Sequence, residues 1–344
     1  MPTGQFFTNS GLFSQHYFNR ILSRTTAPIP PEIPENIDSL INSLVSEWEK
    51  TRSLYIARAE SGEMAKGRIG VPEGYKLIGK SESTVEQGLI RFVMEKTFAF
   101  AIDNNTTLSL QGEAGREALN PSGNQRPDFI LFPNQDTLNN VSQSVSGRRK
   151  NAVEYCSEAI LILDAKAFHR GVCADECDAA TSKAERIETS LKSVMQVECY
   201  LRGCGKKWGI LTNGRNWRLI RAGKIHEHLR FDLVMFLESI LAKGRVIDDD
   251  DRWTFTLFYN ILGQPSTTSS TRSGFGFNDR MERECERADG NACDALRENA
   301  NKSVELLCRG FWQNPSNEWW DPNTRAPRKP SQAVLDEIRE LSLT

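Results

Sequence analysis

No stretch of this 344-residue chain approaches the ~18 consecutive apolar residues of a membrane span, so the sequence offers no transmembrane helix. The opening residues MPTGQFFTNSGLF lack a basic start followed by an apolar core, so no export signal is evident and the expected location is cytoplasmic. A charge of one sign is also missing. Lys and Arg number 43 against 45 Asp and Glu, a net charge of -2, which removes any global attraction to a polyanion and leaves nucleic-acid contact to local basic clusters. The eight cysteines include no C-x2-C knuckle; Cys173-x3-Cys177 and Cys199-x4-Cys204 are looser than that zinc-binding pattern. A chain this long needs no disulfide scaffold, so reduced thiols are expected. No internal repeat is found, and repeat architectures drop out.

What is present reads as a mixture of helix and strand. GLFSQHYFNRIL is a short amphipathic stretch, followed by the Pro-rich TAPIPPEIPEN. Ile37, Leu40, Ile41, Leu44, Val45 and Trp48 recur at helical spacing, which predicts a helix over 37–60. Ser83-Thr84 can cap a second helix running towards Phe98, with Glu86 in its first turn. Strands are expected at 108–114, at 127–132 and at 158–168, with the polar run 134–157 as a flexible loop or hairpin excursion between the last two. A helix over 181–203 leads to WGILTNG and NWRLIRAG, a hairpin about an Asn-Gly turn with Trp208 and Trp217 as core residues. A helix at 229–243, a solvated acidic loop at Asp248–Asp251 with a short helix after it, a Ser/Thr/Gly-rich linker at 264–278 and helices at 279–312 and 331–341 complete the prediction.

The chemistry concentrates in EAILILDAKAFHR, residues 158–170. In a strand, residues i and i+2 point to one face, so Asp164 and Lys166 project together. ILIL before them has no polar residue on either face, the mark of a strand covered on both sides. A carboxylate and an ammonium leaving such a strand are costly unless paired or bound to something. They form either a partly buried ion pair or a metal-binding carboxylate beside a catalytic lysine. The acid-x-Lys pattern alone is weak, since composition predicts roughly two by chance. Upstream, Pro127-Asp128 opens another apolar strand. Phosphodiester hydrolysis needs a divalent cation held by carboxylates from separate elements, with a lysine to position water or stabilise charge.

Pro127-Asp128 followed by Asp164-Ala165-Lys166 resembles the motif of the PD-(D/E)XK nuclease superfamily. The resemblance is best over residues 75–225. It implies that Asp128 and Asp164 bind Mg2+ (with Mn2+ as a substitute) and that Lys166 assists hydrolysis. It also implies Glu86 as a helix-borne third ligand. Gln196-x3-Tyr200 on the following helix is similar to the signature of the RecB-like branch, which implies a place for Gln196 at the catalytic centre and for Tyr200 near it or the DNA. WGILTNGRNWRLI and GLFSQHYF are similar to the nuclease region of type IIG-like restriction–modification proteins and related phage-defence proteins. Such chains continue into a methyltransferase. Asn314-Pro315-Ser316-Asn317 and Gly274-Phe-Gly276 only approach methyltransferase motifs and read as loops, so a fused or separate methyltransferase and specificity region is expected as partner.

Several residues keep two readings. Glu86 is a metal ligand or simply favourable to the helix dipole. Gln196 and Tyr200 are site residues or amphipathic positions. Arg126 reaches DNA phosphate or flanks a strand; Arg148, Arg149 and Lys150 touch phosphate or form a solvated basic loop. His169 serves the site or lies in a surface turn. The expected fold is α/β: an α/β/α restriction-endonuclease-like core around a small mixed sheet, with a helical N-terminal arm and a helical C-terminal extension. The expected division is an arm at 1–60, a nuclease domain at 61–262, a linker at 263–278 and the extension at 279–344. The expected activity is metal-dependent DNA cleavage; the alternatives are a non-cutting DNA-binding module that positions a methyltransferase, and an α/β domain with a buried ion pair.

Overall fold

Of the run expected as a strand over 158–168, Leu161–Ala165 lies inside a mixed seven-stranded sheet. The structure is a computed structural model. It describes residues 3–22, 31–59, 71–79, 81–103, 127–144, 152–172, 183–263, 265, 276–313, 320–321 and 326–327. In chain order the elements are β1 (Phe7–Ser10), α1 (Gln15–Leu22), α2 (Ile37–Tyr55), β2 (Ile56–Arg58), β3 (Tyr75–Leu77), α3 (residues 82–97), β4 (Ala101–Asp103), β5 (Phe129–Phe132), α4 (Gln135–Ser144), α5 (Ala152–Tyr155) and β6 (Leu161–Ala165). They continue with α6 (Lys183–Cys204), β7 (Trp208–Thr212), β8 (Asn216–Arg221), β9 (His228–Asp232), α7 (Leu233–Ala242), α8 (Asp249–Leu262), α9 (Phe277–Gln313), β10 (Trp320–Asp321) and β11 (Ala326–Pro327). Two compact units divide the chain, Met1–Glu284 and Cys285–Thr344.

The sheet belongs to the first unit and runs β1-β9-β8-β7-β6-β5-β4. Only β6 and β7 are parallel; the other neighbours are antiparallel. Parallel neighbours need a long crossover, and α6 supplies it. All five residues of β6 are buried, Asp164 included. Ile130, Phe132, Ile162, Leu211 and Ile220 pack with Val194, Val197 and Leu201 of α6 and with Leu138 and Val141 of α4. On the opposite face Trp217 and Phe231 meet Phe258 of α8, at ring-centroid distances of 6.1 and 4.4 Å. Truncating Phe258 to Ala would cost about 3–5 kcal/mol, the usual loss for a buried aromatic.

The structure departs from the predicted elements where polar composition hides a packed face. Residues 134–157 contain α4 and α5 instead of an uninterrupted loop. Asn134 Oδ1 accepts from Thr137 N at 2.9 Å, while Leu138 and Val141 anchor an otherwise polar helix. The helix expected at 229–243 splits into β9 and α7, because Asp232 Oδ1 accepts from Met235 N at 3.1 Å and starts a helix there. Asp248–Asp251 is not a solvated loop. Asp248 and Asp251 form a reciprocal capping box, and Asp249–Asp251 occupy the positive end of α8.

The expected N-terminal arm is part of the first unit. β1 pairs with β9, Phe7 opposite Phe231, and α1 buries Tyr17, Phe18 and Ile21. The helix predicted to reach residue 60 ends at Tyr55, and the chain turns into β2. Trp208 and Trp217 are buried as expected. The strand predicted at 108–114, the helix at 331–341 and most of the linker at 264–278 lie outside the described residues.

Candidate functional site

The register of β5 on β6 pairs Phe129 with Leu163 and Ile130 with Ile162. One step further, the same register sets Asp128 opposite Asp164, and opposed residues share a face. That face is the one covered by α6. The two acids are also joined through the backbone: Asp128 Oδ2 accepts from Ala165 N at 2.6 Å. Lys166 N donates to Thr212 O at 2.7 Å, which carries the β6–β7 pairing past the strand's last residue. Asp164 and Lys166 therefore keep the two-residue alternation, and their side chains meet, Nζ to Oδ2 at 2.5 Å. Asp164 is 1% exposed and Lys166 8%.

Helix α3 forms the next wall. Glu82 and Glu86 are one turn apart and share a face. Their carboxylates and that of Asp128 lie within 4.8 Å of one another. The helix is irregular here: Glu86–Ile90 is a π turn, kinked at Gly88 with φ -96° and ψ -110°. A Cβ at Gly88 would lie 2.6 Å from Tyr55 Oη, so any larger residue there would force the Tyr55 ring at the end of α2 to shift. Tyr55 in turn stacks on Phe168, two residues beyond Lys166, at 4.6 Å. Behind α3 sits the β7–β8 turn, where Gly214 has φ +83° and a Cβ would come within 2.8 Å of Val85 Cγ1. Hairpin turn, motif strand and α2 thus jointly fix where Glu82 and Glu86 point.

The last wall is α6. Gln196 Nε2 donates to Tyr200 Oη at 2.6 Å, the i,i+4 pair that the spacing allows. Tyr200 is buried, and burial together with the charges of Asp164 and Asp128 pushes its hydroxyl well above the ordinary tyrosine range.

Crowded carboxylates set the electrostatics. Burial, then the charges of Asp128 and Glu82, push Glu86 up to about 7, with Lys166 opposing. Burial also raises Asp128, opposed by the Ala165 N–H and by Lys166. Burial raises Asp164, again against the pull of Lys166. For Lys166 burial works downward, but the Asp164 carboxylate outweighs it and the ammonium is held above its usual value. Four carboxylates thus face one ammonium. Such a set is relieved by a divalent cation, and all-oxygen donors suit Mg2+ or Mn2+ better than zinc.

The structure brings together Glu86, Asp128, Asp164, Lys166, Gln196 and Tyr200. It adds Glu82, which the sequence reading missed although its place four residues before Glu86 was a legible signal. Arg126, Arg148, Arg149 and Lys150 lie outside the described residues, as do Cys173 and Cys177. Cys199 is half-buried and Cys204 buried beside Cys156; among the described residues neither joins a metal-binding group. His169 is exposed in the turn after β6. Comparisons of the chain with family models, curated proteins and solved structures give no match.

Proposed function

We propose that this chain is a metal-dependent DNA endonuclease with a PD-(D/E)XK-like site on a restriction-endonuclease-like α/β/α core. The observation that carries the reading is the register that sets Asp128 opposite Asp164, with Lys166 on the same face and two further carboxylates from α3 converging on Asp128. A buried structural ion pair accounts for Asp164 and Lys166, and that pair is present. It does not account for Glu82, Glu86 and Asp128 crowding the same point, which costs free energy in a site with no cation to bind.

In this reading Glu82, Glu86, Asp128 and Asp164 are the residues that would hold Mg2+ or Mn2+. A bound divalent ion supplies Lewis-acid charge for the scissile phosphate and eases deprotonation of a water. Lys166 orients the attacking water and stabilises negative charge developing on the phosphate oxygens. Asp128, by accepting from Ala165 N, keeps the end of β6 fixed while Lys166 acts. Gln196 holds the Tyr200 hydroxyl, a donor that stays protonated across the working pH range, beside the acids. The biological setting proposed is restriction or phage defence, with a methyltransferase and specificity region as partner and DNA as substrate.

Plasmid cleavage with Mg2+ tests the reading. Asp164→Ala and Lys166→Ala should abolish nicking and linearisation while far-UV circular dichroism stays native-like. Wild-type rates from either variant would refute the assignment.

A further inference from the structure

Lys166 is paired with Asp164, one of the carboxylates that would hold a cation in the reading above. Its Nζ lies 2.5 Å from Asp164 Oδ2, inside a site where both side chains are nearly sealed from solvent. Asp164 Oδ2 makes no regular hydrogen bond among the described residues, so the ion pair is its partner. Asp128 Oδ2 is engaged by the backbone of Ala165, which leaves Asp164 as the carboxylate of β5 and β6 whose charge is spent on a side chain. The helix carboxylates Glu82 and Glu86 cluster with Asp128.

We infer that Lys166 is the resident counter-cation of this site and competes with the divalent ion for Asp164. Cation binding releases the ammonium from Asp164 and makes it available to a phosphate oxygen. The inference rests on the metal-dependent reading above. Its physical basis is that two cations at contact distance from one carboxylate oxygen repel each other strongly in a buried setting. Coupling between binding events is reciprocal: if the metal ion displaces the ammonium, the ammonium weakens the metal ion. Removing the ammonium should therefore tighten cation binding while abolishing cleavage. A lysine that only organises the site would behave the other way, and its loss would loosen binding.

Titration calorimetry with Mg2+ and with Ca2+ tests this on the full chain. Lys166→Met should bind either ion roughly tenfold more tightly than wild type, and Lys166→Arg should stay near wild type. Equal or weaker binding by Lys166→Met, with wild type binding normally, overturns the proposal. Absence of binding by wild type, or binding unchanged in Asp128→Asn, sinks the metal-dependent reading instead. A second measurement needs no variant. Acylation of Lys166 by an N-hydroxysuccinimide ester, followed by mass spectrometry, should rise when Ca2+ is added to wild type. Labelling unchanged at saturating Ca2+ overturns the proposal even if Lys166→Met does not fold.

Discussion

Replacing Glu86 by Gln should stabilise the metal-free protein at pH 8 and leave it almost unchanged at pH 4.5. Glu86 takes up a proton far more readily in the folded chain than a free glutamate does, at about 7 against 4.5, because burial and the charges of Asp128 and Glu82 disfavour its ionised form. The sign follows from linkage. The stabilisation tied to the protonated carboxyl is fully present below pH 4.5 and is lost as pH rises through 7. Above that, an ionised Glu86 burdens the fold. At 1.36 kcal/mol per tenfold, the displacement corresponds to at most about 3.4 kcal/mol. Glu86 is only half-buried, and solvent screening reduces this to about 1–1.5 kcal/mol. Urea denaturation in EDTA at the two pH values measures it. At pH 8 Glu86→Gln should raise the midpoint, and Mg2+ should then stabilise wild type more than the variant. Equal destabilisation by Glu86→Gln at both pH values would show that Glu86 is a structural hydrogen-bonding residue and that the repulsion argument is wrong.

Two further outcomes test the walls of the site. Glu82→Gln should lower Mg2+ affinity by roughly tenfold in calorimetry, with little change in thermal stability; unchanged affinity would remove Glu82 from the ligand set. Gly214→Ala should destabilise the chain by about 1–2 kcal/mol in a thermal melt, since alanine is strained at positive φ and its methyl would press on Val85. Because Val85 lies between Glu82 and Glu86, the same change should weaken cation binding. A Gly214→Ala protein that melts and binds Mg2+ like wild type would show that the hairpin turn does not position α3.

Patterns among neighbouring residues were legible from the sequence. The apolar run ending in Asp164 and Lys166 gave a strand with both groups on one face, because side chains alternate with a period of two. The spacing of Gln196 and Tyr200 gave a shared helix face. The Asn-Gly pair marked the hairpin, and its Asn213 Oδ1 does accept from Asn216 N at 2.8 Å. Elements with few apolar residues were harder to see. Among its described side chains helix α4 buries only Leu138 and Val141, so its composition resembles a loop. Strand β9 and helix α7 adjoin without a linker, and one helix was expected across both. The acids of 248–251 looked like solvated charge until their place at a helix start gave them backbone donors.

The sequence by itself determined which chemistry is available: acids, one lysine and a polar pair, each on a local element whose periodicity orients it. Only the tertiary structure decided that these groups meet. The register of β5 on β6 is set by burial of whole strands and not by Asp128 or Asp164, so no local signal announces that the two acids are opposed. Helix α3 is placed by Tyr55 against Gly88 and by Gly214 against Val85, contacts between residues far apart in the chain. That docking brings Glu82 and Glu86 to Asp128, beside the strand end that carries the Asp164–Lys166 ion pair.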